Sequence, residues 1–236
     1  MAEFFNSFRE LSNSPESIAI RNLVVESGDF MAKDFKRVND QLTEIQAEVD
    51  FRLGVHVQKI NDMTKEISDL NGQIQMAEVN AHEANDERDR REVLIKELGK
   101  SIDIKYAEGD DGLVTITAGG NAILVSGGSQ RDLIAESGPE RPGMREGSTE
   151  IYYKNTKDGT PYNITKRLKG GAIGGLLDTR DRFINGLLSG MDELAFGLAN
   201  QVNQAHMSGY DAKNQKGEAF FKPLATKEGA SAMLQV

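Results

Sequence analysis

The three histidines are the first candidates for metal or catalytic chemistry, and their spacing favours neither. His56, His82 and His206 lie far apart in the sequence. His82-Glu83 resembles the start of a zinc-protease motif, but Asp86 stands where that motif requires its second histidine. We therefore predict no metal site and no catalytic triad at these positions.

The glycine-rich run at 170–175 is a candidate phosphate-binding loop. A nucleotide-binding loop of this kind needs Gly-Lys followed by Ser or Thr, whereas Leu176 follows Gly175 here. No buried parallel strand is predicted before the run. We interpret it as a flexible junction between a strand and a helix, and we predict no cofactor.

Two groups of carboxylates remain as candidates for acid–base or calcium chemistry. Asp178 and Asp181 are three residues apart beside arginines, which is typical of ion pairs within one helical turn. Around Asp211 the spacing is wrong for a calcium loop, and Lys213 and Lys216 place positive charge where ligands belong. No nucleophile or base accompanies either group, so we predict that the chain is not an enzyme and has no catalytic residue.

Composition excludes several further classes of protein. The 236 residues include 28 Lys and Arg against 37 Asp and Glu, a net charge of −9. This balance disfavours binding to nucleic acid, which needs clustered cations, and binding to anionic lipid. Cysteine is absent, which excludes disulfides and thiolate chemistry. No stretch approaches the roughly 18 apolar residues of a membrane span, and we expect no cleavable signal peptide.

The strongest pattern is a stripe of apolar residues spaced by three and four from Met31 to Ile74. It predicts one long, coiled-coil-like helix, about 65 Å long at 1.5 Å per residue. We expect its apolar face to pack on a broad apolar face of residues 176–206, which includes Phe183, Leu187 and Leu194. The predicted helix packing seam consists of Val38, Leu42, Ile45, Val49, Ile60, Ile67, Leu70 and Ile74.

The pattern changes to alternation at Ile102 and returns to helical spacing near residue 173. Three short strands and two later ones, with a long surface loop at 127–149, predict an antiparallel β part. The fold class is therefore α+β, mainly α: an elongated helical bundle with an inserted small antiparallel β subdomain. The predicted domains are a helical bundle from 1–100 and 170–208, a β subdomain from 101–169, and a loop with the start of a truncated C-terminal segment at 209–236.

Several segments together resemble one family. Phe4-Phe5-Asn6-Ser7-Phe8, Ile60-Asn61, Leu70-Asn71 and Phe220-Phe221 resemble, in order, segments of the flagellar hook-associated protein 1 family, the hook–filament junction proteins. The family's most recognisable stretches are similar to Gly174, Gly175, Leu176, Leu177, Asp178, Arg180, Asp181, Asn203, His206 and Gly209. We call these ten residues the family-like motif.

The resemblance implies a structural subunit of the bacterial flagellum that joins the hook to the filament in an axial tube. It implies an extracellular protein, exported through the flagellar type III channel without a cleavable signal peptide. The implied partners are the hook subunit, other hook-associated proteins, further copies of the full-length protein and an export chaperone, with no small-molecule substrate. The family's terminal polymerising helices are not recognisable, so we expect a central fragment that is monomeric at micromolar concentration.

Two other functions remain open. The chain could be a different axial protein, hook-like or flagellin-like, although the segments at 174–181 and 199–211 favour the junction family. It could also be a cytoplasmic coiled-coil adaptor or signalling module, for which we would expect a regular heptad repeat and no β insert.

Overall fold

The computed structural model describes residues 1–80, 82–139, 147–156, 159–211 and 214–236. They form two compact units, one of Met1–Ile45 with Ile184–Val236 and one of Gln46–Phe183. This division differs from the predicted domains, whose boundaries lay near residues 100 and 170. The observed boundary falls inside the longest helix, because successive parts of that helix contribute side chains to separate cores.

The chain is mainly α-helical with a small antiparallel β part, as predicted. The helices are α1 (Ala2–Asn13), α2 (Ile18–Val79), α3 (Asn85–Ser101), α4 (Gly171–Asp178), α5 (Asn185–Ser208) and α6 (Ala230–Met233), and Thr179–Ile184 forms a π-helix between α4 and α5. The long helix α2 is continuous over 62 residues. None of the helices in the described ranges is long and apolar enough to cross a membrane.

Among the described residues of the second unit, seven strands form two antiparallel sheets. The first sheet contains β1 (Ile104–Glu108), β2 (Val114–Ala118), β3 (Ala122–Ser126) and β4 (Ser129–Gln130), and the second contains β5 (Leu133–Ser137), β6 (Thr149–Tyr153) and β7 (Tyr162–Asn163). The alternation of apolar residues predicted five of these strands. The expected long loop at 127–149 is wrong in part, because β4 and β5 lie within it; residues 140–146 of that segment lie outside the described residues.

The residues of the predicted seam differ in burial. Val49, Ile60, Ile67, Leu70 and Ile74 are buried, while Val38 and Leu42 are half-buried. Ile45 is a correction: its side chain is 48% exposed. In this turn of α2 the buried side chains are those of Gln46, Val49 and Asp50. The side chain of residue 45 therefore lies on the solvent-exposed side of the helix.

In the second unit, α2 makes polar contacts with α3 and with the β part. Lys59 of α2 forms an ion pair with Glu97 of α3 at 2.6 Å. About two turns further along α2, Glu66 forms an ion pair with Arg90 of α3. Asn61 of α2 binds the backbone of Leu133 at the start of β5. Within the segment 176–206, which was expected to cover this face, Ala195 and Ala199 of α5 belong instead to the core of the first unit.

The first unit has its own apolar core. It contains Phe4 of α1, Val24, Met31, Ala32 and Phe35 of α2, Ala195 and Ala199 of α5, and Phe220, Phe221, Ala230 and Leu234. The ring of Phe4 lies 5.5 Å from that of Phe220 and 5.7 Å from that of Phe221. The segment after residue 209, expected to be a loop, therefore completes this core. Phe183, Leu187 and Leu194 are exposed, which corrects the predicted broad face.

Candidate functional site

Two asparagines on helices each form a pair of hydrogen bonds with the backbone of an extended segment. Asn61 of α2 donates from Nδ2 to the carbonyl oxygen of Leu133 at 2.9 Å and accepts the amide of Leu133 at 2.8 Å. Asn203 of α5 makes the same pair of bonds with Phe221, at 2.8 and 2.7 Å. A side-chain amide has both a donor and an acceptor, so it can replace the neighbouring strand that these backbone groups would otherwise need.

The side chain of Asn71 forms four hydrogen bonds with three other segments of the second unit. Its Nδ2 donates to the carbonyl oxygens of Val114 and Gly127, each at 2.9 Å. Its Oδ1 accepts the amide of Val114 at 3.2 Å and Nη1 of Arg91 at 2.8 Å. Because Asn71 is completely buried, these four bonds are shielded from water. One side chain thus holds α2, α3, β2 and the turn after β3 together.

Arg91 continues this network to the surface. Besides Asn71, its guanidinium donates to the carbonyl oxygen of Gly112 at 2.8 Å and pairs with Glu108 at 3.0 Å. Arg88 donates to the same carboxylate at 2.5 Å. Burial acts to raise the pKa of Glu108, but the hydrogen bonds from Arg88 and Arg91 outweigh it and leave that pKa below its usual value.

We expect acid to weaken the second unit through Glu108. Its pKa is lower in the folded chain than in the unfolded chain, so its stabilising contribution is present above about pH 4.5 and is lost as the pH falls through the folded value. Urea denaturation of Glu108→Gln should show a lower midpoint than the parent chain at pH 7 and a smaller difference at pH 4. Glu136→Gln, at an exposed residue of β5, is the control. A constant difference between pH 4 and pH 7 would contradict the assignment.

Arg180 is the most buried member of the family-like motif, with no exposed side-chain surface. Its Nη1 donates to Oδ1 of Asp50 and to the carbonyl oxygen of Thr149, both at 2.6 Å, and its Nε donates to Asp181 at 2.7 Å. Asp50 also accepts the amide of Thr149 at 3.0 Å. Burial lowers the pKa of Arg180, yet the bonds to Asp181 and Asp50 outweigh it and raise that pKa overall. The π-helix, α2 and β6 meet at this ion pair.

Gly174 of the motif and the nearby Gly171 allow close packing of the backbone. A methyl group at Gly174 would lie 2.4 Å from the backbone of Lys169, and one at Gly171 would lie 2.6 Å from the backbone at Ser101 and Ile102. Gly171 also has φ of +66°, which only glycine adopts without strain. Leu177 is buried and Leu176 half-buried, whereas Gly175 is exposed and Asp178 pairs with Arg182 at 2.7 Å. This geometry supports a tightly packed helix start in place of the phosphate-binding loop considered above.

The last three motif residues hold the segment after α5. Asn203 binds Phe221 as described, and Nδ1 of His206 lies 2.6 Å from the carbonyl oxygen of Glu218. Gly209 ends the helix: its amide donates to His206 at 3.2 Å, and its carbonyl accepts the amide of Gly217 at 3.0 Å. Together they fix the position from which Phe220 and Phe221 enter the first core.

Replacing Asn203 by alanine should lower the free energy of unfolding by about 2 kcal/mol, because the amide and carbonyl of buried Phe221 lose their partners. Urea denaturation would measure the change, and limited trypsin digestion should show faster cleavage after Lys216. Asn200→Ala, at an exposed position of the same helix, is the control and should change neither measurement. Equal digestion rates for the two variants would contradict the proposed role of Asn203.

The described residues contain no group of three or more His, Cys, Asp or Glu side chains placed to hold a metal. Lys213, which argued against a calcium loop, lies outside them.

Three polar residues that form hydrogen bonds between distant segments, Asp50, Arg91 and Thr149, were not identified from the sequence. For Asp50 a signal existed: together with Gln46 it interrupts the apolar stripe at inward positions of α2.

Residues 1–221 match the family model described as the flagellar hook-associated protein FlgK helical domain. The chain belongs to this family. Flagellar hook-associated protein 1 of Salmonella typhimurium is 30% identical over 223 residues, 94% of this chain and 40% of that protein. The protein of the same name from Escherichia coli K12 is 30% identical over 226 residues, and that of Bacillus subtilis is 24% identical over 242 residues.

The structure of the flagellar hook junction protein FlgK from Burkholderia pseudomallei has the same fold. It superposes with a TM-score of 0.83 at 23% sequence identity, over 93% of this chain and 39% of that one. The family resemblance inferred from the sequence is therefore confirmed. This chain spans about 40% of the length of the Salmonella and Escherichia coli relatives.

Proposed function

We propose that this chain is part of a structural subunit of the bacterial flagellum that joins the hook to the filament. The observation that carries the proposal is the match of residues 1–221 to the FlgK helical domain. The names of the relatives, flagellar hook-associated protein 1, and of the similar structure, a hook junction protein, agree with it. The function is structural and not catalytic.

The polar contacts support a mechanical role. Asn71 and Arg180 are buried, and each joins a helix to at least two other elements. Such networks resist sliding of one element over another, because any shift leaves a buried polar group without its partner. We propose that the family-like motif and the seam of α2 serve this rigidity and make no direct contribution to chemistry.

The proposed partners are the hook subunit, other hook-associated proteins and further copies of the full-length protein, with an export chaperone before assembly. The proposed location is the extracellular flagellum, reached by flagellar type III export without a cleavable signal peptide. The proposal includes no nucleic acid, membrane or small-molecule partner.

Immunogold electron microscopy tests the proposal against its alternatives. Antibodies raised against residues 1–236 should label intact flagella in one band at the boundary between hook and filament. Labelling along the whole filament would indicate a flagellin-like protein, and labelling along the hook would indicate a hook-like one. Label confined to the cytoplasm would indicate the adaptor, and a strain lacking the gene is the control.

A further inference from the structure

The helix that joins α4 to α5 contains one residue more than an α-helix of the same length. Thr179–Ile184 forms a π-helix, in which a backbone amide bonds to the carbonyl oxygen five residues before it instead of four. The extra residue occupies one wide turn, and an adjacent turn can accommodate it instead. If the wide turn moves toward α5, the residues that it passes shift by one position, about 1.5 Å along the helix axis and 100° around it.

The residues just after the wide turn can exchange places by such a shift without burying a charge. Ile184 and Leu188 are buried, with 5% and 7% of their surface exposed. The residue before each is also apolar, but Phe183 and Leu187 are 54% and 58% exposed. A shift of one position places Phe183 where Ile184 lies, and it likewise moves Leu187 inward. The sequence from 183 to 188 contains no charged residue, so each register buries two apolar side chains.

The observed register leaves two buried polar atoms near the π-helix without hydrogen bonds. Among the described residues, Oδ1 of Asn185 and Nη2 of Arg180 have no partner. A buried acceptor without a donor raises the free energy of the state that contains it. In the shifted register the apolar Ile184 takes the place of Asn185, and Asn185 takes the exposed place of Gly186. The shift thus relieves the unsatisfied acceptor, which offsets part of its cost.

Two exposed contacts favour the observed register. The guanidinium of Arg182 lies over the ring of Phe183, with Cζ 4.0 Å from the ring centroid. Arg182 also pairs with Asp178 at 2.7 Å. Contacts of this kind contribute little where water reaches them. We therefore expect the observed register to predominate and the shifted register to be a minor state.

Gly186 and Gly190 provide the turn to which the extra residue can move. A methyl group at either glycine would meet no atom within 4 Å, so the space around the backbone is free. Glycine also tolerates departures from α-helical geometry better than other residues. Beyond this turn the helix keeps its place, and Asp192 keeps its bonds to the amides of Gly229 and Ser231. The shift therefore ends before the residues that hold the C-terminal segment.

We propose that the π-helix acts as a register switch in the helix that leads into α5. The extra residue moves from the π-helix to the turn at 186–190, and the residues between them shift by one position. The exposed pair, Phe183 and Leu187, becomes buried. The buried pair, Ile184 and Leu188, becomes exposed. The switch goes beyond the structural function proposed above and does not depend on it, because it concerns this helix alone. A partner that binds one of the two pairs selects the register that exposes it.

Thiol labelling of single-cysteine variants tests the switch, because the chain has no cysteine of its own. Ile184→Cys and Leu188→Cys report the shift, Phe183→Cys is the exposed reference, and Ala195→Cys is the buried control beyond the shifting turn. A minor register populated at roughly 0.1–10% makes the two reporters label about 10 to 1,000 times more slowly than the exposed reference. Their rates should be equal and nearly independent of urea below the unfolding transition, because a register shift exposes little additional surface.

The urea dependence distinguishes the switch from unfolding. Ala195→Cys should label only when the helix unfolds, so its rate should rise steeply with urea. If urea accelerates the labelling of Ile184→Cys and Leu188→Cys as steeply, these residues are exposed by unfolding alone and the proposal is wrong. Unequal rates for the two reporters would show local fraying in place of a concerted shift and would also overturn it.

Deletion of Gly186 is a second test. Without this residue the helix can continue in α-helical geometry, because the wide turn supplies the residue that is lost. We expect this variant to fold and to reverse the order of labelling, with Ile184→Cys fast and Phe183→Cys slow. Deletion of Gly54 is the matched control, since that glycine also has open space but lies in α2, which is α-helical throughout. It should lower the urea midpoint strongly, because every residue on one side of the gap rotates by about 100°.

The two deletions also define the results that would contradict the switch. Loss of the fold on deletion of Gly186, to the same extent as on deletion of Gly54, would overturn it. Retention of the parental labelling order at residues 183 and 184 in the folded Gly186 deletion would overturn it as well.

Discussion

Replacing Arg180 by methionine should lower the free energy of unfolding by about 3–5 kcal/mol, the largest effect of any single substitution proposed for this chain. The guanidinium is completely buried and binds Asp50, Asp181 and the carbonyl oxygen of Thr149. Methionine has a similar length but supplies no donor, so the buried carboxylate of Asp50 loses its ion pair with Arg180. Urea denaturation followed by circular dichroism would measure the loss.

Three further variants test whether the loss of stability in Arg180→Met comes from the buried ion pair. Arg182→Met removes an exposed arginine paired with Asp178 and should leave the midpoint unchanged. Arg180→Lys should recover little, because one ammonium cannot reproduce the forked contacts to Asp50 and Asp181. Arg180→Met combined with Asp50→Leu should be more stable than Arg180→Met alone, since both buried charges are then absent. If Arg180→Met had the same urea midpoint as the parent chain, the ion pair would not have its expected role in stability.

The second large effect is expected at Asn71. Asn71→Leu should cost about 2–4 kcal/mol, because the amide and carbonyl of Val114, the carbonyl of Gly127 and Nη1 of Arg91 each lose a hydrogen bond in a buried site. Leucine has nearly the same volume, so packing is retained and the loss reports the polar contacts. Urea denaturation gives the total, and hydrogen exchange should show faster exchange of the Val114 amide.

The controls for Asn71 are Asn80, the residue after α2, and Asn61 within α2. Asn80→Leu alters an exposed residue whose amide bonds only to Met76 within its own turn, and it should leave stability unchanged. Asn61→Leu removes two hydrogen bonds instead of four and should have an intermediate effect. An equal loss for Asn61→Leu and Asn71→Leu would show that the four-bond network adds nothing beyond a single pair.

Local periodicity explains why much of the fold was predictable. The spacing of three and four from Met31 to Ile74 predicted the long helix, and the observed α2 extends from Ile18 to Val79. Alternation around Val114 and Ile123 predicted antiparallel strands, and both residues lie in strands of one sheet. Each of these patterns depends on neighbours within a few residues, which a sequence displays directly.

Ile45 shows where local spacing fails. Position 45 fits the apolar stripe, but Gln46 and Asp50 occupy the inward positions beside it. Asn61 and Asn71 hydrogen-bond the predicted β subdomain to α2 within one compact unit, and spacing along the chain gives no sign of these contacts. Hydropathy assigns polar residues to the surface, so it cannot anticipate a polar residue buried by a specific partner.

The sequence by itself determined the helices, most of the strands and the family, because these follow from periodicity and from motifs read in order along the chain. Only the tertiary structure decided which residues meet: Asp50 with Arg180, separated by 130 positions, and Asn71 with Val114, separated by 43. The physical reason is that a buried hydrogen bond depends on distance and direction to about 0.3 Å and a few tens of degrees. Those quantities are set by the packing of distant segments and leave no periodic trace in the sequence.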